Sequence, residues 1–389
     1  MEGDDKIGPN LQPSYKRIYD YLYDEISLGK LAIGNKVPSE KELCHKFQVS
    51  RITSKRALEM LAEQGFISRF PGKGSFVTAV KAGELGKGAA SSRLIGFIIP
   101  DFGDSFGTRL IHSIEENCSA LGYNLLIKRT RDIAAEEEKA ITALVEQNPA
   151  GILIVPVHSE YYNSEILKLI LNKKALVFVD RNMRGLAVPS VCTDNIAAAE
   201  LGVEYLFRLG HRNIAFYSGP IEYTSSIEDR HQGFMKAFIE FGVSYNPALL
   251  CAELSSSWIY PFYAGERVSS DVELIKNHLL AHPEITAAFT VEYNTALIVK
   301  SAVCALGYTV PKDFSILSFD APAAFVGVPE FTHLYQDEYA IGKQAVDFLH
   351  RIIHGADPVS LQDVKIPAKL ILGASTAPLN EEPYRFYSG

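Results

Sequence analysis

The chain has 389 residues, of which 47% are hydrophobic and 22% are charged, and its formal net charge is −8. Its length exceeds that of one ordinary domain, and its composition is that of a globular protein with a sizeable core. No apolar run reaches the length of a membrane span, and the start Met-Glu-Gly-Asp-Asp is acidic where a signal peptide is basic. We therefore expect a cytoplasmic protein. The five cysteines lie far apart with no CxxC pair, which argues against a zinc site or a disulfide framework.

The net charge is distributed unevenly along the chain. Residues 14–80 contain eleven Lys or Arg and seven Asp or Glu, a balance of +4, so the remainder carries −12. A mildly basic segment on an acidic body predicts that only the small segment meets a polyanion.

The first segment, residues 1–13, is polar with two prolines, and we predict a flexible tail there. A helix is predicted from Ser14, because Ile18, Leu22 and Ile26 recur at four-residue spacing.

Residues 39–58 predict two short helices joined by a tight turn. Ser39 with Glu42 three residues later has the pattern of a capping box, and Ser50 can cap the second helix. The outer side of the second helix carries basic and hydroxyl side chains in its first turns: Arg51, Thr53, Ser54 and Lys55. Such a helix suits a DNA major groove, although these residues alone fit an ordinary solvated helix pair equally well.

Residues 66–77 predict two short strands joined by a Gly-containing turn, and three helices followed by a hairpin is the order of a winged helix. A set of matching residues spans nearly all of 15–78: Ile18, Ile26, Gly29, Pro38, Ser39, Glu40, Leu43, Phe47, Val49, Ser50, Arg51, Thr53, Ala57, Leu58, Leu61, Gly65, Gly72, Lys73, Gly74, Phe76 and Val77. By these residues the segment resembles the DNA-binding domain of the GntR family of bacterial transcription regulators.

The resemblance implies that Arg51 reaches a base edge, most simply the O6 and N7 atoms of guanine. Lys55 stands where the family most often has Arg. Because Lys cannot make the planar two-pronged contact of Arg, we expect a different base preference there. Arg56 fits a phosphate contact or a surface charge equally well, and the wing tip would enter the minor groove. The full set of implied DNA contacts is Lys41, Arg51, Thr53, Lys55, Arg56, Gly72 and Lys73.

Residues 79–92 are rich in Gly, Ala and Ser, and they predict a flexible linker between a winged-helix domain at 14–78 and a second domain at 93–389. In the second domain, continuous apolar strands alternate with amphipathic helices, which predicts two α/β lobes with doubly wound parallel sheets. Ligands of such folds bind beyond the carboxyl ends of the strands, in a cleft that can close. The last strand is predicted over residues 364–372.

Motifs of the second domain match another family: Val179-Asp180-Arg181, Thr193-Asp194-Asn195, Leu209-Gly210-His211-Arg212-Asn213, Arg230, Gly233-Phe234 and Ser318-Phe319-Asp320. By these motifs residues 93–375 resemble the effector domain of LacI/GalR repressors and, more distantly, the periplasmic sugar-binding proteins. Three positions depart from the family pattern: Ala198 replaces Gly, Tyr293-Asn294 replaces Asn-Asp, and Ala321 replaces a second Asp or Asn. These departures leave the identity of the ligand open.

A sugar pocket needs planar, charged hydrogen-bonding groups for the hydroxyls and an apolar face for the ring. The predicted effector contacts are Asp104, Phe106, Asp180, Arg181, Arg230, Trp258, Asn294 and Asp320. Each has a structural alternative, which is a salt bridge or a cap for the polar residues and core packing for the aromatic ones. We assign Asp194, Asn195 and His211 to caps and turns.

The sequence contains no GxSxG, HExxH or Walker A pattern and no metal-spaced cluster, so we expect neither an enzyme nor a metal or cofactor. We expect a homodimeric repressor whose binding to operator DNA is lowered by a small sugar. A GntR-type front with a LacI/GalR-type body resembles the arabinose repressors of Gram-positive bacteria, which makes arabinose the first candidate. The alternatives are a regulator for which the ligand is a corepressor or activator, and a sugar-binding transport protein.

Overall fold

The structure is a computed structural model that describes residues 14–27, 30–31, 34–63, 65–70, 74–77, 93–157, 163–256, 265–322 and 327–379. The chain divides into two compact units, Met1–Ser92 and Arg93–Gly389. The predicted tail, the predicted linker, the wing-tip residues Gly72 and Lys73, and Trp258 lie outside the described residues. Within the described part, no helix is both long and apolar enough to span a membrane.

The first unit has three helices followed by an antiparallel hairpin, as predicted. Its elements are α1 (Ser14–Ser27), α2 (Glu40–Phe47), α3 (Arg51–Glu63), β1 (Ile67–Phe70) and β2 (Gly74–Val77). The four-residue spacing on α1 places Ile18, Leu22 and Ile26 in a core that the inner face of α3 completes. Residues 34–37 run beside β2, where the Val37 amide donates to the Ser75 carbonyl.

Local caps fix where the two central helices begin. The capping box is confirmed: the Ser39 amide donates to the Glu42 carboxylate at 2.7 Å, and the Glu42 amide donates to Ser39 Oγ at 3.3 Å. Ser50 Oγ accepts from the Thr53 amide at 3.4 Å, as predicted for the start of α3. Gln48 makes the turn between the helices with a left-handed φ of 54°. These contacts orient the first turn of α3. The prediction that Ser54 lies on the outer side of this helix is wrong: the residue is buried, and its Oγ donates to the Arg51 carbonyl at 3.1 Å and lies 3.2 Å from Cys44 Sγ.

The second unit alternates strands and helices. In chain order its elements are β3 (Leu94–Ile99), α4 (Thr108–Ala120), β4 (Asn124–Arg129), α5 (Ala134–Glu146), β5 (Gly151–Ile154), α6 (Ser164–Leu171), β6 (Leu176–Val179), β7 (Ser190–Thr193), α7 (Asn195–Arg208), β8 (Ile214–Tyr217), α8 (Ser225–Glu240), β9 (Leu250–Cys251), α9 (Gly265–Ala281), β10 (Ala287–Thr290), α10 (Tyr293–Ala305), β11 (Ser315–Phe319), β12 (Thr332–Tyr335), α11 (Glu338–Ile353), β13 (Val364–Ile366) and β14 (Lys369–Ile371).

These elements form two lobes, each built on a six-stranded sheet. The first lobe has the order β4-β3-β5-β6-β7-β13, with all strands parallel. The second has the order β9-β8-β10-β11-β12-β14, in which only β14 runs antiparallel. The chain passes between the sheets three times: after β7, after β12, and between β13 and β14. The prediction of two parallel, doubly wound lobes is confirmed.

The predicted single strand over residues 364–372 is wrong, because this stretch forms β13 in the first lobe and β14 in the second. Pro367 lies between them, and a proline has no amide hydrogen for a sheet ladder. Sequence reading also missed β7, which is only four residues long.

Each lobe has its own apolar core. In the first, the strands pack against α4 and against α11, which returns from the far side of the second lobe and contributes Ile341, Phe348 and Leu349. In the second, aromatic side chains of β8, β10 and α8 pack together around Phe216, Phe234 and Phe289. Both cores leave the carboxyl ends of their strands free to carry polar side chains.

Candidate DNA-binding and ligand-binding sites

The first turns of α3 present basic side chains outward. The side chains of Arg51 and Lys55 are 84% and 57% exposed, and Lys41 on α2 is exposed as well. Arg56 is also exposed and lies over the ring of Tyr15, with 5.1 Å between the guanidinium carbon and the ring centroid. The predicted contacts Lys41, Arg51, Thr53, Lys55 and Arg56 therefore lie on or beside α3, in positions that permit contact with a ligand as large as DNA.

Two glutamates connect this basic surface to the hairpin. Glu40 accepts from Arg51 Nε at 3.2 Å and from Arg69 Nη2 at 2.6 Å. Glu59 pairs with Lys55 at 3.6 Å and with Arg69 at 3.7 Å. Because Glu40 holds Arg51 through Nε, both terminal nitrogens of its guanidinium stay available for a bidentate contact. Sequence reading did not assign Glu40 and Arg69 these roles.

Ile52 is a further feature that sequence reading missed. Its side chain is 81% exposed in the first turn of α3, between Arg51 and Thr53. An apolar side chain on such a surface can contact the methyl group of thymine in a major groove. Its position next to Arg51 in the sequence is the signal that could have identified Ile52 as a candidate DNA contact.

In the second unit, polar side chains of both lobes meet at the carboxyl ends of the strands. Asp180 directly follows β6, and Asp320 directly follows β11. Both have left-handed backbone conformations, with φ of 62° and 63°, and both are buried. A non-glycine residue in this conformation carries a strain cost and occurs often at functional sites. The two lobes thus contribute carboxylates through the same local geometry.

Arg230 lies at the centre of this cluster, although it comes from α8 rather than from a strand end. It donates to Asn195 Oδ1 at 2.8 Å, to the Val291 carbonyl at 2.5 Å and to Gln336 Oε1 at 3.1 Å. Its guanidinium carbon lies 3.8 Å from the ring centroid of Phe319. These contacts hold the guanidinium of Arg230 in one orientation, and only 6% of the residue is exposed.

Gln336 joins the two lobes to this network and was missed by sequence reading. Its Nε2 donates to both carboxylate oxygens of Asp320, at 2.9 and 3.1 Å. Its Oε1 accepts from Thr193 Oγ1 at 2.7 Å, as well as from Arg230. Gln336 and Thr193 lie at two of the places where the chain crosses between lobes. Their position at strand ends was the signal that could have identified them.

Arg181 is held in the first lobe, where it donates to Asp132 at 3.1 Å and to the Pro156 carbonyl at 2.9 Å. Its neighbour Asp180 has an oxygen, Oδ1, that is buried and has no hydrogen-bond partner among the described residues. Burial raises the pKa of Asp180, against the opposing charges of Arg181 and Arg230. A buried acceptor without a hydrogen bond raises the free energy of the folded state, and a ligand that donates to Oδ1 would remove this penalty.

Glu292 provides a third acid. It lies two residues after β10, acts electrostatically on Arg230, and accepts a 3.3 Å bond from Thr295 Oγ1. Burial raises the pKa of Glu292 to about 8 and that of Asp320 to about 7. Sequence reading selected Asn294 in this loop. Asn294 lies half-buried in the first turn of α10, two residues beyond the acid that faces Arg230.

Two further predicted contacts lie in the loop after β3. Asp104 is exposed in the loop after β3, and Phe106 in the same loop packs partly against the first core. His211 has the structural role that sequence reading gave it: it is buried and bonds to Thr286 Oγ1 and Ser315 Oγ. The described residues contain no cluster of His, Cys, Asp or Glu that could hold a metal ion.

Three contacts join the lobes beside the cleft. Arg184, in the loop after β6, pairs with Glu228 at 2.9 Å and with Asp229 at 2.7 Å on α8. The Asn182 amide donates to Ser225 Oγ at 2.9 Å. These contacts are polar and partly exposed, which suits an interface that opens and closes.

Fold and site together define a transcription regulator in which a winged helix is joined to a two-lobed ligand-binding unit. The chain belongs to the periplasmic binding protein domain family, whose model matches residues 95–357, and residues 14–77 match the family of bacterial regulatory proteins called gntR.

Several named transcription regulators are similar to this chain. The arabinose metabolism transcriptional repressor of Geobacillus stearothermophilus is 26% identical over 94% of this chain and 98% of its own length. The ribose operon repressor of Halalkalibacterium halodurans is 26% identical over 74% of this chain and 80% of its own length. Among solved structures, the transcription regulator CcpA of Lactococcus lactis is similar, with a TM-score of 0.62 and 20% identity over 73% of this chain and 99% of that one. This last similarity supports the fold alone.

Proposed function

We propose that the protein is a transcriptional repressor that binds operator DNA through α3 and responds to a small sugar bound between its two lobes. The observation that carries the proposal is the presence of both sites on one chain: an outward basic helix with Arg51 at its first turn, and a buried polar cluster centred on Arg230. We propose domains at 14–78 and 93–389, joined by residues 79–92. Similarity to regulators, and no catalytic constellation in the sequence, support a protein without enzymatic activity.

We propose a monosaccharide as the effector. Arg230, Asp180, Asp320 and Gln336 provide the fixed donors and acceptors that hydroxyl groups need. The repressor from Geobacillus stearothermophilus makes arabinose the first sugar to test. The predicted contacts Asp104, Phe106, Arg181, Trp258 and Asn294 remain candidates for substitution.

We propose that two copies act together, because a symmetric operator is read by two recognition helices about one helical turn apart. Sugar binding would change the arrangement of the two lobes and thereby the ability of the dimer to occupy both half-sites. A coupling of about 1–3 kcal/mol per site, or roughly 5–150-fold, is the usual size of such an effect.

The proposal is tested by titrating binding of the full chain to its operator fragment against monosaccharides, arabinose first. Release of DNA by a sugar supports it, whereas tighter DNA binding would assign the ligand a corepressor role. If no sugar changes DNA affinity, sugar-controlled repression is wrong.

For the DNA half, Arg51→Ala should cost about 1–3 kcal/mol of binding on the operator with little effect on random DNA, because a base contact is lost. Fluorescence anisotropy on both fragments measures this difference. An equal loss on both would make Arg51 a phosphate contact. Lys343→Ala, a change outside the DNA-binding unit, is the control and should leave both affinities unchanged.

A further inference from the structure

The centre of the ligand cleft holds more carboxyl groups than basic groups. Three ion pairs of this unit each match one acid with one base: Asp132 with Arg181, Glu338 with Arg109, and Asp101 with Arg129. Three further carboxyl groups, those of Asp180, Glu292 and Asp320, remain around the single guanidinium of Arg230.

Among the undescribed parts of this unit, residues 158–162, 257–264 and 323–326 contain no Lys or Arg, and residues 380–389 contain one, Arg385. Among the described basic groups, Arg230 and Arg181 have the main effects on the three carboxyls, and Arg181 also pairs with Asp132. Within the described residues, acids therefore outnumber bases around Arg230.

The hydrogen bonds of the three acids differ in a way that indicates where a ligand is needed. Asp320 has both oxygens bonded to Gln336. Glu292 has one long contact, at 3.3 Å from Thr295. Asp180 is 5% exposed, and its Oδ1 has no partner among the described residues. Asp180 and Glu292 are thus the acids with acceptor capacity left over.

A neutral sugar would donate hydroxyl hydrogens to these oxygens and would leave Glu292, whose pKa burial raises to about 8, with its proton. A protonated amine would take the place of that proton and form charge-assisted hydrogen bonds with the ionised acids. A metal ion is a poorer fit, since the described residues hold no group of ligands arranged for one.

We propose that the effector is an amino sugar, a monosaccharide with a protonated amine beside its hydroxyls, and that Asp180 and Glu292 receive that amine. The inference rests on the proposed function, because it takes the cleft to be the sugar site, and it replaces arabinose by a cationic sugar. Arg230, Gln336 and Asp320 then bind the hydroxyl groups.

The test uses the full chain and sugars that differ only in the group at one carbon: glucosamine with glucose, galactosamine with galactose, and mannosamine with mannose. The N-acetylated forms and arabinose serve as neutral comparisons. Isothermal titration calorimetry measures each affinity, and operator release is followed in parallel. We expect at least one amine to bind about tenfold or more tightly than its hydroxyl twin and its acetylated form, as one charge-assisted bond implies.

Glu292→Gln keeps the shape of the side chain but cannot ionise when an amine binds, so it should reduce the advantage of the amine to about threefold or less. The matched control is Glu284→Gln, an exposed acid outside the cleft. The comparison of twin sugars on the unaltered chain does not depend on whether the variant folds.

The outcomes separate the two proposals. If neutral sugars bind as tightly as their amines in every pair, or if arabinose binds more tightly than all amines, the amino-sugar inference is wrong and sugar-controlled repression stands. If no sugar of either kind binds or releases DNA, the proposed sugar control itself fails.

Discussion

Glu40 is positioned to orient the arginine that we propose contacts DNA bases. It accepts from Arg51 and Arg69 at once, so it joins α3 to the hairpin. An acid near the phosphate backbone lowers general affinity for DNA, while an oriented arginine improves base discrimination. We therefore expect the carboxylate of Glu40 to lower general affinity and to raise specificity.

Glu40→Gln should reduce the ratio of operator affinity to random-DNA affinity by about tenfold, a cost of about 1–3 kcal/mol in discrimination, because Arg51 loses its orienting partner. Affinity for random DNA should stay the same or rise. Anisotropy titrations at two salt concentrations measure both. Glu63→Gln, an exposed acid near the end of α3, is the control; an equal effect of both changes would contradict the positioning role.

Glu292 gives the second prediction at this scale. Burial raises its pKa to about 8 from the ordinary 4.5, so the folded state holds a proton that the unfolded state releases. Its contribution to stability is therefore full below about pH 4.5 and is lost as the pH rises through 8. Glu292→Gln should leave stability nearly unchanged at pH 5 and raise it by about 1 kcal/mol or more at pH 8.5.

Thermal melting of the full chain without sugar measures this difference at the two pH values. Glu284→Gln should show no such gain, because that side chain is exposed. If the difference in stability between the variant and the unaltered chain is the same at both pH values, Glu292 does not ionise as a buried acid over this range.

Sequence could identify some of these residues and not others, for a physical reason. Arg51, Asp180 and Asp320 stand in motifs, and their roles follow from neighbours in the chain. Gln336 and Glu292 depend on contacts with α8, which lies far from both in sequence. The three-dimensional proximity of these groups is set by the crossing of the chain between lobes, which no local pattern encodes.

Among the elements, α8 is the one whose placement matters most for the ligand site, because it carries Arg230. Its position is fixed by close packing on α7 at Gly233, where an added Cβ would lie 2.2 Å from the Ile196 carbonyl oxygen. Backbone cannot yield as a flexible side chain can, so the helices must separate if this glycine is replaced.

Gly233→Ala should therefore destabilise the second unit by about 1–3 kcal/mol or more, despite the better helix propensity of Ala, and should weaken effector binding by displacing Arg230. Urea unfolding and calorimetry test the two effects. Gln232→Ala, an exposed neighbour on the same helix, should change neither. A variant of unaltered stability and affinity would show that α8 can shift without consequence.

Secondary-structure elements could be predicted from the sequence where apolar strands alternate with helices. They could not be predicted reliably where the strands are short. The sequence predicts one strand over β13 and β14, because apolar residues recur through the whole stretch. Pro367 was the available sign of a break. Neither strand has a pattern that states which sheet it joins, since that depends on where β7 and β12 already lie.

At the scale of the whole ligand-binding unit, exposed ion pairs contribute to the arrangement of the lobes. Arg184 pairs with two acids of α8, and its side chain is 59% exposed. Partly exposed ion pairs contribute about 0.2–1 kcal/mol each. The ion pairs of Arg184, which we call the Arg184 clamp, can therefore favour the closed arrangement of the lobes and can still break when the lobes open.

Arg184→Ala should weaken effector binding about two- to tenfold, because the arrangement that surrounds the ligand loses support. Calorimetry measures the affinity, and operator binding without effector should be unchanged. Arg208→Ala, which removes an exposed pair within α7, is the matched control. Unchanged or tighter sugar binding would mean that the clamp does not belong to the ligand-bound arrangement.

The three passages of the chain between the lobes also determine the order in which this protein becomes complete on the ribosome. The winged helix has its whole described core by Val77, whereas the first lobe waits for α11 and β13, which are made only after most of the second lobe. A nascent or prematurely ended chain thus carries a complete winged helix and an incomplete ligand-binding unit. Premature stop codons after the winged helix, from residue 93 to residue 365, should then leave products that retain weak DNA binding and have lost their response to sugar.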